Sequence, residues 1–307
     1  MKNMIFDQFK EAVGDACVSV AEPMDRHTSF RVGGPADYYV TPVTIDGVKA
    51  AIDICQKENL PYYIIGNGSN LLVSDDGFRG VIIQVYKNLN QVEVQGNVIR
   101  AQAGALLSTV AKQALNAELT GMECLSGIPG TLGGACTMNA GAYGGEIKDV
   151  LTEVTVLDEK NELKVIPASE LELGYRTSVI AKKGYIVLEA VLTLEKGDKE
   201  KIQGRMDELK EQRVTKQPLD LPSAGSTFKR PTGYFAGKLI QDAGLSGYTV
   251  GGAQVSPKHC GFVVNIGNAT ASDVYQLICD VQKKILETDK VLLEPEVKML
   301  GVFTKEE

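Results

Sequence analysis

Apolar and polar positions change period several times along the chain. Val48, Ala51, Ile52 and Cys55 recur at helical spacing, which predicts a helix over 44–58 with one buried face. Leu60-Pro61 breaks that pattern. Tyr62-Tyr63-Ile64-Ile65 then reads as a short buried strand, and Gly80–Val85 as another. Gln91–Val94 and Val98–Ala101 flank Gly96-Asn97, the signature of a hairpin turn. Leu106, Leu107, Val110 and Ala114 mark a helix over 105–116, and two longer strands are predicted at 150–157 and 185–194. Ile202, Met206, Leu209 and Arg213 line up along a charged helix, 198–213.

Lys216–Ser223 has two prolines and no period, so it reads as the join to another domain. Beyond it lie a helix near 234–243 and a strongly amphipathic one at 272–287, carried by Val274, Leu277, Ile278, Val281 and Ile285. A last strand signal, Val291–Phe303, is expected to return to the first domain. Helices mixed with hairpins point to an α+β fold.

Composition narrows the function. At ~150 residues per domain, 307 residues suggest about two domains, or three small ones. Lys and Arg total 32 against 39 Asp and Glu, a net charge of −7, which argues against nonspecific nucleic-acid binding. The six cysteines form no CxxC pair, and the histidines are two, His27 and His259. A zinc ribbon, a zinc finger or a multi-histidine metal centre is therefore not expected. Scattered cysteines fit a reducing compartment. The first residues turn acidic before any apolar signal region, and no run reaches the ~18 apolar residues of a membrane span. The expectation is a soluble cytoplasmic protein with no metal, no membrane and no nucleic-acid partner.

Glycine is the first anomaly. The 32 glycines cluster at Gly66-Asn67-Gly68-Ser69-Asn70, at Ser126-Gly127-Ile128-Pro129-Gly130-Thr131-Leu132-Gly133-Gly134 and at Asn139-Ala140-Gly141-Ala142-Tyr143-Gly144-Gly145. Without a Cβ, such loops let main-chain amides approach an anion and cradle phosphate. Three of them suffice for a dinucleotide pyrophosphate. Neither GxGxxG nor GxxxxGK[ST] occurs at these loops, so a dinucleotide here follows another fold's rules.

The second anomaly is polar. Arg176 follows the helix-like stretch 168–173, Ser226 sits on the turn Ala224-Gly225-Ser226-Thr227-Phe228-Lys229, and Leu293-Glu294-Pro295-Glu296-Val297 places carboxylates in a strand pattern. Read singly, Arg176 is equally a surface ion-pair partner, Ser226 a turn residue, and Glu296 an edge-strand solubiliser beside Pro295. No GxSxG elbow is present, and neither histidine has a sequence-local partner for a hydrolase triad.

Taken together and in order, five segments resemble the UDP-N-acetylenolpyruvoylglucosamine reductase family. They are Gly66–Leu72, Gly127–Gly134, Tyr175-Arg176, Ala224–Lys229 and Leu293–Val297. The resemblance runs from Thr28-Ser29-Phe30 to Gly301. It implies a two-part FAD-binding region of the vanillyl-alcohol-oxidase (PCMH-type) class and a C-terminal α+β substrate-binding domain. The implied bounds are 1–75, joined by a C-terminal strand 300–307, then 76–213, then 214–299. The short Lys182–Tyr185 interval resembles the subtype without an inserted tyrosine loop.

The implied reaction is NADPH-dependent, FAD-mediated reduction of an enolpyruvyl ether of UDP-N-acetylglucosamine. The product is a peptidoglycan precursor, and FAD is expected unlinked. By resemblance the catalytic residues are Arg176, Ser226 and Glu296. The cofactor would be held by Gly66, Asn67, Gly68, Ser69, Asn70, Gly127, Pro129, Gly130, Gly133, Gly134, Asn139, Gly141 and Ala142. Lys216, Lys229, Arg230 and His259 would meet the substrate, and a monomer is expected. The competing readings are another flavin oxidase or dehydrogenase of this fold class and a non-catalytic nucleotide-binding regulator.

Overall fold

The helix predicted over 44–58 forms as Ile45–Lys57, with the Thr44 hydroxyl accepting from the Gly47 amide at 3.0 Å. That bond satisfies one of the donors a helix start leaves over. The computed structural model describes residues 2–304, and among them the other long helices lie close to their expected places. They are Leu107–Asn116, Lys199–Lys216, Ala236–Asp242 and Ala271–Asp289, while a further helix, Lys2–Val13, was not expected from the sequence. Among the described residues no helix is long and apolar enough to cross a membrane.

The chain divides into two compact units. The first comprises Met1–Val20, Tyr38–Asn67 and Gly80–Arg213. Its largest sheet has five strands in the order Leu163–Pro167, Leu151–Leu157, Ile186–Thr193, Val98–Gln102, Val92–Gln95, all neighbours antiparallel. The expected hairpin is the last pair, and Gly96 takes φ +64° at its turn. Tyr62–Ile65 pairs in parallel with Val81–Gln84. Ile99, Leu132, Val154 and Leu188 are fully buried in one apolar core. Cys55 and Cys136 are buried there too, and burial pushes both thiols up to about 12.

The tight loop between Leu151–Leu157 and Leu163–Pro167 is closed by Asp158, whose side chain is 1% exposed. Lys164 Nζ lies 2.5 Å from its Oδ2, and the Lys160 and Glu162 amides donate to Oδ1 at 2.9 Å each. The Lys164 contact first, then the Glu162 amide, hold the carboxyl down to about 2. A depressed carboxyl stabilises the fold above its unfolded pKa of ~3.9, and that contribution is lost as pH falls through the folded value. Asp158→Asn is therefore expected to lower the thermal midpoint at neutral pH, with the gap to wild type closing towards pH 2. A gap of equal size at both pH values would assign the effect to something other than the carboxylate.

The second unit comprises Ala21–Asp37, Gly68–Arg79 and Val214–Glu307. Its antiparallel sheet runs Ser223–Ser226, Phe262–Asn265, Ala253–Val255, Thr249–Val250. The helix Ala271–Asp289 opens with a capping box between Thr270 and Asp273. Asp75 is joined to that start, its carboxylate accepting from the Ala271 and Ser272 amides at 2.8 Å each. Phe30 and Leu72 are buried with Val274, Leu277 and Ile278. Thus two early segments, Ala21–Asp37 and Gly68–Arg79, pack with the C-terminal third.

The strand expected over Val291–Phe303 is only Lys298–Leu300, parallel to Leu71–Val73. Pro295, which lacks an amide proton, confines the preceding stretch to one isolated bridge with Phe228. Of the expected strand 300–307, residues 305–307 lie outside the described residues.

Candidate functional site

In the first unit the structure brings the first two glycine clusters together. A Cβ on Gly66 would fall 2.3 Å from Thr131 Oγ1, so only glycine admits that approach. Beside it Asn67 Nδ2 donates to the Pro129 carbonyl at 2.6 Å. Gly130 and Thr131 are fixed from behind, the Leu107 amide donating to Gly130 O at 3.1 Å and the Leu132 amide to Ala105 O at 2.8 Å. Gly133 lies against Ala103, where a Cβ would come within 2.8 Å. Gly134, in contrast, is exposed, and a Cβ there would meet nothing nearer than 3.7 Å. The loop therefore has a packed glycine side and an open one.

The third cluster folds back on itself. Gly141-Ala142 pairs with Gly145-Glu146. Asn139 is fully buried in a left-handed conformation, φ +47°. Its amide donates to Glu146 Oε2 and Gly174 O at 3.1 and 3.0 Å, and its Oδ1 accepts from the Lys148 amide at 3.1 Å. That side chain is fully used inside the protein, so Asn139 offers a ligand the position of its loop. Arg176 Nη2 donates to Gly141 O at 3.2 Å, and the guanidinium lies 5.0 Å from the Tyr175 ring. The Gly174–Thr177 bridge makes the turn that carries it, with Arg176 at φ +54°. The helix-like stretch 168–173 before it is a single 3-10 turn, Ala168–Glu170. Glu146 completes the network: its hydrogen bond from Lys148 foremost, with help from Asn139 and Arg176, holds its carboxyl below the usual range.

One participant was not singled out as a site residue. Arg213 lies on the apolar line of its helix, where its charge looks incidental. In the fold its guanidinium lies 5.5 Å from the Tyr143 ring, and a Cβ on Gly127 would come 2.8 Å from its Nε. It joins the second and third glycine clusters, and burial lowers the proton affinity of its guanidinium. An arginine four residues after Leu209 on a buried stripe was the available signal.

In the second unit, Gly68 takes φ +65° and a Cβ there would fall 1.9 Å from the His27 carbonyl oxygen. The amides of Gly68, Ser69 and Asn70 donate to no protein group among the described residues. Asn70 Nδ2 donates to the Glu296 carbonyl at 3.2 Å, and Asn70 O accepts from the Lys298 amide at 3.0 Å. The Glu296 amide in turn donates to Thr227 O at 2.8 Å. Ser226 is exposed while its neighbour Thr227 is fully buried, its hydroxyl accepting from the Val263 amide at 3.0 Å. The strand shifts register between Ser223 and Ser226, and Gly225 supplies φ +77°. A bulge of this kind re-aims the next side chain. So Ser226 and Glu296 stand on adjoining, mutually bonded backbone.

The cations divide. Lys216 is exposed at the end of its helix. Lys229 is ion-paired to Glu294 at 2.9 Å, a pairing across 65 residues that no local pattern signals. Arg230 lies 3.9 Å from the Phe235 ring centroid. His259 Nδ1 accepts from the Gly261 amide at 3.1 Å, which leaves the ring proton on Nε2. Burial lowers the His259 pKa, so the ring is neutral at pH 7. A cleft of about 410 Å³ lined by Lys164, Ile166, Glu170, Lys183 and Tyr185 contains none of the expected site residues.

Comparison with known proteins completes the picture. Residues 36–166 match the family described as FAD binding domain. Residues 217–300 match the family described as UDP-N-acetylenolpyruvoylglucosamine reductase, C-terminal domain. The chain is 51% identical over 300 residues to the UDP-N-acetylenolpyruvoylglucosamine reductase of Alkaliphilus metalliredigens, covering 98% of this chain and 99% of that one. It is 55% identical over 284 residues to that of Alkaliphilus oremlandii, covering 92% and 93%. The crystal structure of UDP-N-acetylenolpyruvylglucosamine reductase from Thermus caldophilus superposes at a TM-score of 0.79 with 36% identity, over 92% of this chain and 98% of that one. A variant of Phl p 4 described as a glucose oxidase shares the fold over 70% of this chain and 50% of its own, at a TM-score of 0.50 and 14% identity. The α+β class, with its flavin-binding region and C-terminal domain, stands.

Proposed function

This chain belongs to the UDP-N-acetylenolpyruvoylglucosamine reductase family, and from that premise we propose how its residues divide the work. It is an NADPH- and FAD-dependent oxidoreductase that reduces the enolpyruvyl ether of UDP-N-acetylglucosamine during peptidoglycan precursor synthesis. The observation that carries the site assignment is the joined backbone of Ser226 and Glu296, bonded through Thr227 and fixed by Asn70.

The residues present fit FAD. Clasped glycine loops and the amides of Gly68, Ser69 and Asn70 are donors suited to a pyrophosphate. We assign its binding to Gly66–Asn70, to Gly127, Pro129, Gly130, Gly133 and Gly134, and to Gly141 and Ala142, with Asn139 shaping the third loop. When bound, FAD supplies hydride transfer between NADPH and the substrate. We assign residues 1–75 and 76–213 to the cofactor and 214–299 to the substrate.

Reduction puts hydride on C3 of the enolpyruvyl group and negative charge on C2, shared with the adjacent carboxylate. Arg176 offers a planar fork matched to that carboxylate. Preorganised donors aimed at developing charge are a large part of catalysis. A free Glu296 carboxylate would repel the charge, so Glu296 acts protonated or through a bridging donor. The Ser226 hydroxyl gives its proton to C2. Lys216, Lys229, Arg230 and the Nε2–H of His259 are left for the diphosphate and uridine. NADPH and nucleotide-activated sugars are cytoplasmic metabolites, and we place the enzyme with them.

Two glycines test the cofactor assignment. Gly68 is unsuitable, because any side chain there collides with the His27 backbone. Gly66→Ala is expected to lower both the flavin-to-protein ratio and the thermal midpoint, since Thr131 must move. Gly134→Ala is expected to keep the fold and lose flavin. Full flavin occupancy in both variants would count against these loops.

The function itself is tested by supplying NADPH and the enolpyruvyl sugar nucleotide to the purified protein. Equimolar NADPH consumption and a product heavier by two hydrogens are expected. Flavin reduction without that product points to another flavoenzyme of the fold class, and absence of flavin points to a regulator.

A further inference from the structure

Nine residues beyond Ser226 the second unit holds an aromatic ring where burial would not put one. Phe235 is 62% exposed, although an aromatic side chain gains most by leaving water. The ring is not on a loose loop. Its carbonyl accepts from the Lys238 and Leu239 amides at 3.0 and 3.1 Å, so Phe235 closes the start of the helix Ala236–Asp242. The turn before it is braced as well. The Tyr234 amide donates to Pro231 O at 3.1 Å, Gly233 takes φ +79°, and Arg230 Nε donates to Tyr234 O at 3.3 Å. Arg230 lies on the ring at 3.9 Å from its centroid, well inside cation–π range. At the root of the turn the Lys229 amide donates to Glu294 O at 2.8 Å, and Phe228 bridges Pro295.

We propose that Phe235, backed by Arg230, is a stacking platform for the nucleobase of a bound nucleotide. A rigid ring with a cation on it presents a planar apolar surface beside positive charge. That combination matches a base linked to a diphosphate: the base stacks, and the phosphates meet Arg230. Stacking on an aromatic ring is sequence-tolerant, because every base has a π-face. The inference rests on the proposed function for the identity of the nucleotide and assigns the platform to the uracil of the sugar nucleotide. The adenine of NADPH has the same chemistry and is separated by the test.

The chain contains no tryptophan, so Phe235→Trp installs the sole indole at the platform. UDP, NADP⁺ and inorganic diphosphate are titrated into the flavin-loaded variant while indole emission is read. Saturable quenching by UDP and none by diphosphate is the expected result. Quenching by NADP⁺ alone keeps the platform and assigns it to adenine. Equal quenching by diphosphate, or no change with any of the three, overturns the proposal. Steady-state kinetics give a second reading. Phe235→Ala is expected to raise KM for the enolpyruvyl substrate about tenfold, from the affinity typical of one stacked base, with kcat much less affected. Phe235→Trp should restore the wild-type KM, and unchanged KM for both substrates in the alanine variant contradicts the platform. If the alanine variant does not fold, the tryptophan variant carries the test alone. A wild-type protein that fails to turn over the enolpyruvyl substrate would defeat the functional reading separately, since quenching by a nucleotide does not depend on turnover.

Discussion

Ser226→Ala is expected to slow reduction of the enolpyruvyl substrate by at least ~10²–10⁴-fold, the usual contribution of a positioned proton donor. Folding and flavin content should persist. The side chain is exposed, its hydroxyl has no protein partner among the described residues, and the bulge that aims it depends on Gly225. A serine hydroxyl is a weak acid, so the step depends on a strongly basic carbanion and on close alignment. Ser226→Cys offers a more acidic proton and is expected to recover part of the rate. Oxidation of NADPH by the flavin should stay near normal in both variants, because the role proposed for Ser226 lies in the other half-reaction. If Ser226 were only a turn residue, alanine would be tolerated. Flavin reoxidation by substrate at the wild-type rate in Ser226→Ala would remove Ser226 from the mechanism.

Arg176→Lys is expected to impair the same half-reaction by about 10²-fold, the scale on which one preorganised donor contributes. The charge is kept, but the fork is lost. Lysine presents a point charge that cannot hold a carboxylate through two parallel bonds. The substitution also removes the bond to Gly141 O, so flavin content must be measured alongside. Stopped-flow absorbance separates the outcomes, since reduction by NADPH and reoxidation by substrate are read on one chromophore. Loss confined to reoxidation places Arg176 on the substrate carboxylate. Equal loss in both halves makes it an organiser of the Gly141 loop.

The parts of this fold that were legible in the sequence are those with a local cause. The helix Ala271–Asp289 announces itself through a regular apolar face and the Thr270–Asp273 box. The hairpin at Gly96-Asn97 does so through a turn that needs positive φ. The substrate-side sheet was not legible, because Thr249–Val250 and Ala253–Val255 are too short to show an alternating period. The glycine clusters were visible, but not their clasp, since Thr131 meets Gly66 only through the fold. Long-range polar bonds were equally hidden. Asn70 reads as part of a phosphate-cradling loop, and nothing local shows that its side chain lies on the Glu296 carbonyl. Arg213 is the opposite case: the helical period that marks its apolar neighbours masks the charge that lies beside Tyr143.

The central claim is that one bound flavin takes hydride from NADPH and passes it to the enolpyruvyl sugar nucleotide. The most direct measurement is an anaerobic visible spectrum of the purified protein, recorded before and after one equivalent of NADPH and again after the substrate. The account predicts oxidised flavin bands that bleach with NADPH and return in full with the enolpyruvyl substrate, but not with UDP-N-acetylglucosamine. Flavin that bleaches and stays bleached after the enolpyruvyl substrate is added would contradict it.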